Sequence, residues 1–275
     1  MLRPTLLRFI CRLLLLASVS HATCAARETL NFNRDWRFQL GDPKNAEAPA
    51  YADDTWQPVG LPHTFSLPYF MSTDFYVGYG WYRKTFNLPS DWSGKRISLE
   101  FDGAFQDAEI FVNGRKVGSH QGGYNGFPVD ITSAVQPGRN LVAVRLNNHW
   151  NARLAPRAGE HVFSGGLYRN VRLVATDPLH IAWYGTFVTT PKVSAGSATV
   201  NVKTEVRNDS AAPRTVELKT ALLNPEGRVV AMLVGKQTIP AATTVTFDQT
   251  SPALLTPKLW HPGHPHLHRA VSQVT

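Results

Sequence analysis

The chain is short of three things that would direct a reading elsewhere. Cysteine occurs only as Cys11 and Cys24, both within the first 26 residues. Charged residues make up 17% of the sequence, against 20 glycines and 19 prolines. Beyond residue 26, no twelve-residue stretch repeats its apolar residues at the helical period of 3.6. The lack of helical periodicity argues against bundles and barrels of alternating strand and helix. The lack of cysteine in the main part of the chain excludes a disulfide framework and a thiolate metal centre there. The formal charge is +8, but lysine and arginine nowhere cluster with interleaved aromatics, so a nucleic-acid stripe is not expected. Phosphate loops and Gly-x-Ser-x-Gly elbows are also missing. Gly78 and Gly80 of "VGYGWY" lead into a strand, not a helix, which excludes a dinucleotide fingerprint.

What is present begins with an address. Arg3, Arg8 and Arg12 precede and punctuate an apolar run ending in "LLLLASVS", and small residues follow in "HATCAA". This is the layout of a secretory signal. Residues 1–26 are therefore expected to be removed near Ala26, or alternatively near Ala22, and the protein to be exported to a periplasmic or extracellular compartment. The apolar run is too short for a lasting membrane span.

Alternation dominates the rest. Ile97, Leu99 and Phe101 point one way along "RISLEFD", and Val200, Val202, Thr204 and Val206 do the same along "ATVNVKTEV". Val142, Val144 and Leu146, then Val216, Leu218 and Leu222, repeat the pattern. These are half-buried strands. Asn113-Gly114 predicts a two-residue primed hairpin turn, and "QPGRN" and "NPEG" predict further turns. "DITSAV" predicts a single helical turn capped by Asp130 or Thr132. Asp177-Pro178 cannot continue a central strand, which puts a boundary near "ATDPLH". The expected fold is all-β. Residues 27–177 form a jelly-roll sandwich of the galactose-binding type, and residues 178–275 an immunoglobulin-like sandwich.

A glycosidase needs two carboxylates flanking a sugar, and its acid/base glutamate often follows an asparagine. No Asn-Glu dipeptide occurs. Glu100, Glu205 and Glu217 fall on the polar faces of strands, where solvated surface charge is expected. One segment stands apart: the loop of about twenty residues between "VAVRLNN" and "YRNVRLV". It holds Asn148, His149, Trp150, Asn151, Arg153, Arg157, Glu160, His161 and Phe163. Such residues suit a sugar, with rings on its apolar face and amides or a carboxylate on its hydroxyls; they also suit a loop packed on a neighbouring domain. Trp36, Trp56, Trp81 and Trp92 read as core aromatics. "NDS" (208–210) is an N-glycosylation sequon.

"FSGGLYRNVRLV" resembles the Gly-Gly-Ile-Tyr-Arg-Asp-Val strand of family 2 glycoside hydrolases, which include β-galactosidases, β-glucuronidases and β-mannosidases. "NFNRDWRFQLGD", "WQPVGLPHTF", "GYGWYRKTFNLP" and the hairpin of residues 99–132 resemble further family segments in the same order. The resemblance implies a jelly-roll sugar-binding domain and an immunoglobulin-like domain, followed by a (β/α)₈ barrel with the nucleophile and acid/base glutamates. Barrels of this kind take about 250 residues. The expectation is thus an accessory region that holds no catalytic residue and is inactive alone. It would need no cofactor, and its partners would be a β-galactoside-type glycan and a catalytic barrel, not nucleic acid or membrane. The alternative is a free-standing carbohydrate-binding or docking module. Counting back from Gly166, Glu160 occupies the position of a sugar-contacting carboxylate in the family's β-galactosidases, where aspartate is usual. Asn148 and His149 resemble polar positions near that pocket, and Trp150 is the loop aromatic best suited to a sugar. Glu160 could instead pair with Arg153 or Arg157. Gly165 and Gly166 read as turn and packing glycines.

His261, His264, His266 and His268 crowd the end of the chain. In an extended strand the last three would share one face and could seat zinc or copper. "LWHPGHPHLHRA" also resembles the family's Leu-Trp-x-Pro-x-x-Pro-Tyr-Leu-Tyr segment, the last strand of its immunoglobulin-like domain. There the histidines stand in for aromatics, and no metal is expected.

Overall fold

The structure is a computed structural model and describes residues 27–65, 76–155 and 164–275. The signal-like segment, residues 1–26, and Glu160 lie outside the described residues. Among the described residues the first part holds ten strands: β1 (Glu28–Asn31), β2 (Trp36–Leu40), β3 (Gln57–Val59), β4 (Tyr79–Leu88), β5 (Arg96–Phe101), β6 (Asp107–Val112), β7 (Arg115–Gln121), β8 (Phe127–Asp130), β9 (Gly138–Asn147) and β10 (Val171–Thr176). They form two antiparallel sheets, one in the order β3-β2-β4-β9-β6-β7 and one in the order β1-β10-β5-β8. One core fills the space between them, with Trp36, Tyr82, Ile97, Leu99, Phe101, Ile110, Val144, Leu146 and Leu173 all buried. Trp56, Trp81 and Trp92 are buried as the sequence predicts.

The hairpin turn forms as expected. Val112 faces Arg115, and Asn113 and Gly114 take the positive φ values (51° and 83°) of a primed turn. The helical turn is capped by Asp130, whose Oδ1 accepts from the Thr132 N–H at 2.9 Å. Strand β9 departs from the simple pattern, because Leu141 and Ala143 are buried as well. A small cluster of Ala46, Trp56 and Trp81 covers the outer face of the large sheet around Ala143. That face is therefore apolar at one end and open and polar at the other.

Glu100 corrects an expectation. It lies on the outward side of β5, but its side chain is buried. Arg27 reaches it at 2.5 Å and Arg172 at 3.7 Å, and their stems exclude water.

The second part holds β11 (Leu179–Val193), β12 (Ser197–Asn208), β13 (Arg214–Leu223), β14 (Val229–Ile239), β15 (Thr243–Thr250), β16 (Leu254–Leu255), β17 (Trp260–His261), β18 (His264–Pro265) and β19 (Arg269–Val274). Sheets β11-β12-β15 and β14-β13-β19 face each other over Val206, Val216, Leu218, Ile239 and Phe247. A second apolar cluster, Val202, Leu222 and Leu233, lies beside an open cleft of about 560 Å³ lined by Val188, Val200, Leu254, Trp260 and Ala270. Among the described residues there is no α-helix, and the fold class is all-β.

Two further sequence expectations are corrected here. The terminal histidines do not share one long strand. They occupy a two-strand hairpin and its exit, ahead of the last strand β19. The rings of His261 and His264 lie 6.5 Å apart and those of His264 and His266 6.3 Å apart, and no metal-holding cluster exists among the described residues. Asn208, the sequon asparagine, is fully buried. Its amide donates to the carbonyls of Ala212, Ile239 and Pro240 at 2.9–3.2 Å. It is a structural clamp, not an accessible acceptor.

Candidate functional site

The inner face of the large sheet, at Phe38 and Tyr82, meets two chain segments that are remote in sequence. His63 N–H donates to Leu167 O at 2.9 Å, and Phe65 N–H donates to Gly165 O at 3.2 Å. The stems leading into residues 66–75 and 156–163 therefore run side by side. Gly165 and Gly166 permit this approach. Both have positive φ (60° and 117°), and a Cβ on Gly166 would lie 2.6 Å from the His63 carbonyl oxygen.

A buried polar pair braces the stems from below. His63 Nδ1 and the Tyr82 hydroxyl are 2.8 Å apart, and the same hydroxyl accepts from the Leu167 N–H at 3.4 Å. Accepting from Leu167 leaves Tyr82 to donate its proton to His63 Nδ1, which fixes a neutral tautomer with the proton on Nε2. Burial pushes the His63 pKa down to about 4 and raises that of Tyr82.

The loop residues named from the sequence separate in space. Asn148 is fully buried. Its Oδ1 accepts from the Gly78 N–H and its Nδ2 donates to Tyr76 O, each at 2.8 Å, so it anchors the segment entering β4. His149 and Trp150 are exposed, Trp150 at 61%. The His149 ring meets Tyr79 edge-on, with centroids 5.3 Å apart.

Strand register extends this corner into a surface. Gln121, Asp107, Asn147 and Tyr79 stand directly opposite one another across β7, β6, β9 and β4. The next row on the same face is Ser119, Glu109, Arg145 and Trp81. Two adjoining depressions of about 280 and 340 Å³ share Tyr79, Asp107 and Asn147, and His149 and Trp150 wall the larger one. None of Tyr79, Asp107, Asn147 and Gln121 is singled out as a site residue by the sequence. Counting back from the Asn113-Gly114 turn puts Asp107 opposite His120. A one-residue bulge after Ile110 shifts that pairing to Gln121.

Charge is distributed unevenly over these rows. Arg145 donates to Asp42 (2.5 and 2.8 Å) and to Glu109 (2.8 Å), and Lys116 also pairs with Glu109. These bonds hold the carboxyls of Asp42 and Glu109 below their usual range. The Arg145 guanidinium also lies 4.0 Å from the centre of the Tyr79 ring. Asp107 differs: among the described residues it has no cationic partner. Its Oδ2 receives only the amides of Asn147 and Gln121, at 3.4 and 3.5 Å.

Comparisons with known proteins agree across the chain. A profile described as "Glycosyl hydrolases family 2, sugar binding domain" matches residues 27–177, and one described as "Glycosyl hydrolases family 2" matches residues 179–275. The beta-galactosidase BoGH2A of Bacteroides ovatus is 34% identical, over 94% of this chain and 31% of its own length. A beta-glucuronidase of Formosa agariphila is 33% identical, over 92% of this chain and 28% of its own length. A crystal structure of a Bacteroides uniformis beta-glucuronidase superposes with a TM-score of 0.87 and 34% identity, covering 90% of this chain and 30% of that one. The chain thus spans less than a third of the length of these relatives.

Proposed function

The chain belongs to glycosyl hydrolase family 2, and from that premise we propose that it is the exported N-terminal region of a β-galactosidase-like enzyme that hydrolyses O-glycosidic bonds. Residues 27–177 act as its sugar-contacting domain and residues 178–275 as the domain that connects to the catalytic part. The observation that carries this reading is the match of two family profiles in sequence, over residues 27–177 and 179–275. Cleavage belongs to the remaining length of such an enzyme, where a pair of glutamates would act by the retaining route. The open apolar cleft beside Trp260 offers a surface on which that part could seat.

In this scheme the 275-residue chain supplies contacts, not chemistry. Trp150 presents a ring to the apolar face of a sugar, His149 a hydrogen-bonding edge, and Glu160 a carboxylate for hydroxyls. The exposure of Trp150 also favours a second reading, a carbohydrate-binding module active by itself. Two measurements test these readings. The chain alone should not hydrolyse a nitrophenyl β-galactoside, and turnover would overturn the division of labour. Lactose calorimetry on the wild type and Glu160→Ala should show weaker binding in the variant. Equal binding would remove Glu160 from the contact set.

A further inference from the structure

The relatives include both galactosidases and glucuronidases, whose names imply neutral and anionic sugars respectively. The charge on the outer face of the large sheet bears on the difference between these classes. Around the paired depressions stand three carboxylates, Asp42, Glu109 and Asp107, and two cations, Arg145 and Lys116. Both cations already pair with Asp42 or Glu109. The remaining negative charge sits on Asp107, in the middle of the row and shared by both depressions.

A carboxylate offers about four lone-pair sites. The two amides that reach Asp107, at 3.4 and 3.5 Å, lie at the outer edge of hydrogen-bonding distance and satisfy little of that capacity. Two adjacent hydroxyls of a sugar ring would complete it, because both could donate to the carboxylate. The Asn147 and Gln121 amides on either side could then bond to the same hydroxyl oxygens. Tyr79 and Trp150 at one end provide rings for the apolar C–H face. A uronic acid would bring a second carboxylate beside Asp107, where the two cations that line the depressions, Arg145 and Lys116, are already paired, and like charges repel.

We propose that the row Tyr79–Asn147–Asp107–Gln121, walled by His149 and Trp150, binds a neutral hexose unit of a glycan, with Asp107 accepting from two adjacent hydroxyls. The proposal rests on the carbohydrate reading above and adds the residues that hold the neutral sugar and the one that selects it. It makes Asp107 a specificity-determining residue.

The test is calorimetry or ligand-detected NMR on the full chain, with lactose and methyl β-glucuronide as probes. Asp107→Asn, Gln121→Ala and Glu160→Ala are compared with the wild type, and circular dichroism verifies each fold. The wild type should prefer lactose. Asp107→Asn should weaken lactose binding by about tenfold and narrow the preference over glucuronide, since it removes the repelling charge. Gln121→Ala, at an exposed position, should weaken lactose binding more modestly, and it serves as the probe if Asp107→Asn misfolds. A wild type that binds glucuronide as tightly as lactose overturns the proposal. So does lactose affinity that is lost in Glu160→Ala but unchanged in Asp107→Asn and Gln121→Ala, an outcome that leaves the carbohydrate reading standing. Absence of binding to either sugar overturns both.

Discussion

Thr64 donates its hydroxyl hydrogen bond to the carbonyl of Ser164 at 2.9 Å, across 100 positions of sequence. The contact fixes where two remote segments leave the sandwich and brings them out beside each other. The geometry beneath it is tight at Gly166.

Gly166→Ala should destabilise the first sandwich by about 1–3 kcal/mol through overpacking, with positive φ adding strain. The new Cβ would lie 2.6 Å from the His63 carbonyl oxygen and 2.9 Å from Thr64 Cα, both backbone atoms that cannot rotate away. Urea denaturation checks this. Gly138→Ala is the control, because it shares a positive φ but has nothing within 4 Å.

His63 gives stability a specific pH dependence. Its pKa is about 4 in the folded chain, against the ordinary histidine value of 6.5 that holds once the chain unfolds. Between those limits the unfolded state binds the extra proton, so stability should fall as pH drops from about 6.5 to 4. The contribution is of order 2–3 kcal/mol. His63→Gln should show a shallower loss over the same window in denaturation measured at stepped pH. An identical slope would show that His63 does not titrate in this way.

Arg83 is 2% exposed and carries several bonds at once. It pairs with Asp53 at 2.7 Å and donates to the carbonyls of Ala46, Ala48 and Tyr51, so it ties residues 46–53 to β4. Arg83→Ala should destabilise by about 3–5 kcal/mol, the range for breaking a buried ion pair. Arg83→Lys should recover little, because an ammonium cannot reproduce the planar fork. Thermal melts of the two variants provide the check.

The sequon at Asn208 should stay unoccupied in folded protein made by a glycosylating host. Its amide is buried under three carbonyls. Mass spectrometry of the secreted folded material should show no glycan there. Asn208→Ala should destabilise the second sandwich by about 1–3 kcal/mol, since it leaves buried carbonyls without a donor.

Zinc titrated against a chromophoric chelator should reveal no tight stoichiometric site at the terminal histidines. Zinc ligands sit about 2 Å from the metal. Rings more than 6 Å apart on an exposed hairpin would have to rearrange to meet that requirement.

The sheets were legible because alternation is a local property. Ile97, Leu99 and Phe101 had to share a face whatever lay above them, and Asn113-Gly114 specified its own turn. What escaped depended on partners far along the chain. Glu100 reads as a surface residue until Arg27 and Arg172 arrive from β-strand neighbourhoods more than 70 positions away. Nothing local in the sequence reveals that Asn148 is buried and bonded to Gly78 and Tyr76. The row through Asp107 was hidden by one bulged residue. That residue changes the phase of β7 and exchanges His120 for Gln121 opposite Asp107.

The pairing of the two stems also bears on the order of folding. β1 pairs with β10, from Glu28 opposite Ala175 to Asn31 opposite Arg172, and Phe65 closes on Gly165 within the same span. Contacts of such sequence separation are slow to form, because the chain between them must first give up its freedom. During synthesis, the first sandwich therefore cannot close until residues near 175 have emerged. The junction where Phe65 meets Gly165 should be among the last features to appear.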